Sequence, residues 1–104
     1  MTSTNNTTAA TAPKFPEQVT GMYILAESLR RLGLMDVYGL VGIPVTEAAY
    51  AMQKVGINYY GFRFEQQAGM AAATHGYLTK KPGVLLTVSS LGMMNGLTAT
   101  AHAT

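Results

Sequence analysis

Four segments with helical spacing alternate with three short apolar runs, and glycine or proline punctuates most of the junctions. That order limits what the chain can fold into. Met22, Leu25, Ala26, Leu29 and Leu32 share one helical face, with Glu27, Ser28, Arg30 and Arg31 opposite and Gly33 as the stop. Residues 37–41 read as a strand ending in Gly42-Ile43-Pro44. A helix over 45–55 follows, with Ala48, Ala49, Met52 and Val55 inward and Gly56 closing it. Residues 57–62 are the next strand and 64–79 the next helix. Pro82-Gly83 introduces a strand over 84–88, and a last helix starts near Gly92 or Met93 and runs to the end. Strands separated by helices of this length require right-handed crossovers and hence a parallel sheet.

The predicted class is therefore α/β, a partial doubly wound parallel sheet truncated after its third strand and following helix. Three strands are fewer than the five or six of a complete doubly wound sheet. Parallel strands are buried on both faces, so more structure is expected to cover the open edge. Residues 19–104 read as the first part of a larger domain. Residues 1–18, rich in Thr, Asn and Ala without apolar periodicity, read as a disordered leader.

Composition narrows the function classes. Charged residues make up 12% of the chain and the net charge is +2, so no basic stripe invites nucleic acid. No apolar stretch approaches the roughly 20 residues of a membrane span. With no cysteine there is neither a disulfide framework nor a thiolate metal site. His75 and His102 lie far apart, without ligand spacing, and read as ordinary helix residues. The leader lacks a secretory apolar core and a transit peptide's arginines, so a cytoplasmic location is expected.

The segment 60–78, YGFRFEQQAGMAAATHGYL, carries the strongest functional signal. A strand halts at Arg63, and Glu65 opens a helix of small residues. Ligands of open α/β sheets sit beyond the carboxyl ends of the strands, where helices begin. Glu65 there either touches a ligand or complements the positive helix end, worth a few tenths to about 1 kcal/mol. Gly69 and Gly76 inside that helix imply close approach of a ligand or of another backbone, or tight packing on the sheet.

The stretches Tyr38-Gly39-Leu40-Val41-Gly42-Ile43-Pro44-Val45-Thr46 and Gly61-Phe62-Arg63-x-Glu65-Gln66-x-Ala68-Gly69 resemble the N-terminal pyrimidine-binding domain of thiamine diphosphate enzymes. Lys81-Pro82-Gly83-Val84, Leu86-Thr87-Val88-Ser89 and Asn95-Gly96-Leu97-Thr98 resemble most the oxalyl-CoA decarboxylase family. The 2-hydroxyacyl-CoA lyase family shares the first stretches and differs near the last helix. The resemblance covers nearly all of residues 20–104.

The resemblance implies a lyase that converts oxalyl-CoA to formyl-CoA and CO2. Glu65 would hydrogen-bond N1′ of the thiamine diphosphate aminopyrimidine, making it both the catalytic and a cofactor-binding residue. Pro44, Ser89 and Asn95 would also line the cofactor, and Ile43 would touch the substrate. Mg2+ would bind with the diphosphate in a C-terminal domain outside this chain. The active site would be shared between subunits of a homodimer or homotetramer, and the isolated fragment would be inactive. A 2-hydroxyacyl-CoA lyase fragment, a non-catalytic remnant docking on a full-length paralogue, and a flavodoxin-like domain with an accidental match are the alternatives. Phe64 and Met70 stand where the family usually has histidine and tyrosine. The family's Ala-Pro-Gly-Phe becomes Ser90-Leu91-Gly92-Met93, and loss of that proline is expected to relax the turn.

Overall fold

The computed structural model describes residues 20–104, and the expected leader and domain boundary lie outside them. The order is α1 (Gly21–Arg31), β1 (Asp36–Gly39), a 3-10 turn (Ile43–Val45), α2 (Thr46–Lys54), β2 (Asn58–Gly61), α3 (Glu65–Thr79), β3 (Val84–Leu86), α4 (Leu91–Asn95) and α5 (Leu97–Ala103). The three strands form one parallel sheet in the order β2-β1-β3. Val37 on the central strand lies opposite Tyr59 on one side and Val84 on the other. The chain steps from β1 outward to β2, then returns across β1 to β3. That reversal opens a crevice at the carboxyl ends of β1 and β3, where ligands of this fold class bind.

Alternation along the strands assigns the two faces. Val37, Tyr59, Val84 and Leu86 point to one side, where Ala26 of α1 and Ala48, Ala51 and Met52 of α2 complete a core with Val55 and Ile57. The inward positions expected for α2 are all buried. Tyr38 and Leu85 point to the other side, against α3 and α5. There the Tyr38 hydroxyl meets His75 Nδ1 at 3.1 Å. Gly69 faces Ala99 of α5, where an added Cβ would lie 2.5 Å from the Ala99 Cβ. An added Cβ on Gly76 would lie 2.9 Å from Lys81 O and Gly83 N. The small residues of α3 therefore serve helix and loop packing, the structural option among those the sequence leaves open.

The structure departs from the sequence reading on the packed face of α1, in the last helix and at the end of β3. In α1 the packed stripe is Met22, Tyr23, Ala26 and Leu29, while Leu25 and Leu32 are exposed. Glu27, expected on the solvent face, is 2% exposed. Its carboxylate accepts from Arg30 Nε at 2.9 Å and Arg31 Nε at 2.8 Å, which compensates the desolvation of a buried charge. Arg30 holds the Glu27 pKa down at about 2, against the upward push of burial. The last helix is two helices: the Gly96 N–H bonds Met93 O and caps α4 before α5 begins. β3 ends at Leu86, and residues 87–90 form an irregular turn.

Among the described residues no helix is long and apolar enough to cross a membrane. No group of three His, Cys, Asp or Glu side chains there could hold a metal ion.

Candidate functional site

Every sequence-predicted site residue lies beyond the carboxyl end of a strand. Ile43 and Pro44 follow β1, Glu65 follows β2, and Ser89 and Asn95 follow β3. Only Glu65 and Asn95 are brought into contact: Asn95 Nδ2 donates to Glu65 Oε1 at 3.4 Å, a long hydrogen bond. Ser89 is exposed in the turn after β3. Pro44 is exposed, and Ile43 is 95% exposed at the start of the 3-10 turn.

Glu65 is the first residue of α3, and its side chain is buried, with 7% of the residue exposed. Phe64, the N-cap, supplies no side-chain acceptor to the opening turn. The unpaired N–H groups and dipole of that turn favour a negative charge beside them. The dipole alone does not explain the burial, because a surface carboxylate gains the same attraction without losing water.

Two glycines border this acid. An added Cβ on Gly92 would lie 3.4 Å from Glu65 Oε2, and one on Gly96 would lie 3.9 Å from Glu65 Cβ. Both glycines are buried. No described residue hydrogen-bonds to Glu65 Oε2. The corner thus presents one carboxylate oxygen braced by an amide and a second without a hydrogen-bond partner among the described residues. A planar nitrogen heterocycle that needs a carboxyl partner in a water-poor place fits that donor set.

The turn that carries the corner is strained. Ser90 has φ 61 and ψ −114, a conformation that costs a non-glycine residue on the order of 1–3 kcal/mol. α4 begins at the next residue and places Gly92 beside the carboxylate.

A cavity of about 440 Å³ lies elsewhere, along the open edge of β3 between α3 and α5, lined by Gly69, Gly76, Gly83, Leu85 and Ala99 among others. None of the five sequence-predicted residues lines it. The chemistry-bearing groups are at the strand ends, so size does not mark the site here. Sequence reasoning missed Val88, Gly92, Gly96 and Gly42 as parts of the corner. The pairing Asn95-Gly96 was a readable stop signal, whereas the Val88 contacts arise only from the fold.

The fold and corner define a partial α/β ligand-binding domain with an acid at its topological switch. Residues 19–104 match the family described as thiamine pyrophosphate enzyme, N-terminal TPP binding domain, and the chain belongs to that family. The accidental-match alternative is thereby removed. The chain is 56% identical over 84 residues to the oxalyl-CoA decarboxylase of Escherichia coli K12, covering 81% of this chain and 15% of the relative. It is 46% identical to the 2-hydroxyacyl-CoA lyase of Arabidopsis thaliana over 88 residues, 85% of this chain and 15% of that protein. It is likewise 46% identical to the human 2-hydroxyacyl-CoA lyase 1 over 92 residues, 88% of this chain and 16% of that protein. The chain spans about one sixth or less of the length of these relatives.

Proposed function

We propose that these residues form the aminopyrimidine side of a thiamine diphosphate-dependent enzyme converting oxalyl-CoA to formyl-CoA and CO2. The observation that carries the reading is Glu65, a buried acid with Oε1 braced by Asn95 and Oε2 beside Gly92 with no hydrogen-bond partner among the described residues. Glu65 would hold a proton between its carboxyl and N1′ of the pyrimidine ring, and Asn95 would fix the plane of that carboxyl. Burial keeps water from competing for the same proton. When bound, thiamine diphosphate supplies the electron sink through which the carboxyl group leaves.

Ile43 would cover the acyl group, and Pro44 and Ser89 would border the ring. Mg2+ and the diphosphate belong, in this reading, to a C-terminal domain outside the chain. The site is completed by a partner subunit of a cytoplasmic homo-oligomer. The decarboxylase is favoured over the lyase by the higher identity to the Escherichia coli decarboxylase and by Asn95-Gly96-Leu97-Thr98.

The test places residues 20–104 in the matching segment of the full-length Escherichia coli decarboxylase. Oxalyl-CoA and a long-chain 2-hydroxyacyl-CoA are then supplied together. Formyl-CoA as the dominant product supports the reading. Aldehyde as the dominant product assigns the chain to the lyase side. Neither product, with thiamine diphosphate still bound, makes it a non-catalytic relative.

A further inference from the structure

Val88 has no polar side-chain atom to offer the proposed chemistry, yet it stands between the two halves of the site. It lies two residues beyond β3 and is half-buried. An added Cβ on Gly42 would lie 2.8 Å from Val88 Cγ1, and one on Gly92 would lie 2.5 Å from Val88 Cγ2. The two methyls therefore occupy the places where side chains at 42 and 92 would go. Gly42 leads into Ile43, and Gly92 lies beneath Glu65 Oε2.

Conformation does not demand glycine at 42. Its φ of −142 and ψ of −179 are extended backbone that any residue adopts. Space demands it. A β-branched side chain is stiff at χ1, so Val88 cannot swing one methyl away from Gly42 without turning the other at Gly92. The loop is fixed on its far side as well. Gly42 O accepts from Val45 N and Thr46 N, each at 3.0 Å, and from Thr46 Oγ1 at 2.8 Å. Leu40 N donates to Leu86 O at 3.1 Å. With both flanks tied, the contact with Val88 sets how far the Ile43 loop stands from the acid corner.

We propose that Val88 is a positioning residue, a spacer whose two methyls hold the Ile43 loop and the Gly92–Glu65 corner apart at a fixed distance. That distance decides how large an acyl group the site admits. The inference rests on the functional reading above for its substrate class. A valine here suits a short, planar acyl group such as the oxalyl thioester. Trimming it lets the loop settle differently and opens room for a longer 2-hydroxyacyl chain.

The experiment uses the full-length protein described above, with Val88→Ala, Val88→Thr, Gly42→Ala and the double variant Gly42→Ala/Val88→Ala. Val88→Ala is expected to move the ratio of kcat/KM for the two thioesters about tenfold toward the longer chain, mainly through KM. Val88→Thr fills both γ positions and is expected to hold the oxalyl preference that Val88→Ala loses. Gly42→Ala is expected to lower the melting midpoint sharply while Val88 is in place, and much less when Val88→Ala has already removed the two methyls. Additive melting shifts would overturn the wedge. Coupled melting shifts with an unchanged thioester ratio would overturn the selectivity role. If the starting protein binds no thiamine diphosphate, the functional reading fails, while the melting comparison still judges the wedge.

Discussion

Gly69→Ala separates helix propensity from packing in a way the structure makes quantitative. In an isolated helix the change would stabilise by about 1 kcal/mol. Here the new methyl would lie 2.5 Å from the Ala99 Cβ and 3.3 Å from Leu85 Cδ2. Ordinary carbon contacts are about 3.5–4.0 Å, so α5 must retreat by roughly 1 Å. Overpacking of that kind costs about 1–3 kcal/mol and outweighs the propensity gain. The net expectation is destabilisation by about 1 kcal/mol. Ala99→Gly alone loses about 0.8 kcal/mol of burial and about 1 kcal/mol of propensity. Swapping the methyl across the interface, Gly69→Ala with Ala99→Gly, removes the collision and returns the propensity. The double variant is expected near the starting stability, against an additive loss of roughly 3 kcal/mol. Urea titration of the four proteins, full-length and at one concentration, provides the cycle. Additive losses would refute the idea that Gly69 is there to seat Ala99.

Glu65→Gln keeps the shape and an acceptor for Asn95 but removes the acid; turnover in the full-length protein is expected to fall on the order of 10²–10⁴-fold. Equilibrium dialysis should show cofactor binding falling far less, and near-normal turnover would reduce Glu65 to a helix-end charge. For Glu27 the folded pKa is depressed from 4.5 to about 2. Its contribution is therefore complete above the unfolded value and drains away as pH falls toward about 2. Glu27→Gln is expected to be the less stable protein near neutrality and to lose less on acidification, which denaturation midpoints across that window will show. The 104-residue chain alone is expected to lack decarboxylase activity and to self-associate, because Ile43, Leu78, Leu91 and Met94 are each at least 60% exposed. A monodisperse monomer in light scattering would contradict this.

The strand–helix alternation was legible because each element carries its own period and stop signal. Glu65 was legible because one acid interrupts an otherwise small and apolar stretch at a strand–helix junction. The buried Glu27 was not, since a hydrophobic stripe counts only apolar residues. Its signal was the two arginines three and four positions on, which let a carboxylate leave water. The break at Gly96 was readable from Asn95-Gly96, a common helix stop, but alanines on both sides masked it. The contacts of Val88 with Gly42 and Gly92 join residues from separate elements, and no local pattern announces them.

The position of β1 in the centre of the sheet also dictates an order of events during synthesis. Val37 can pair with Tyr59 as soon as β2 emerges, and α1 and α2 have by then been made, although the core beneath them still lacks Val84 and Leu86. Its other neighbour, Val84, leaves the ribosome only after all of α3. Until then the β3 side of the central strand stands open, the kind of unpaired edge that invites wrong partners. The acid corner, which needs α4 behind Glu65, closes only after β3 has been made. A nascent chain stalled before Val84 thus has its central strand paired on one edge and open on the other, the state in which a chaperone would find it.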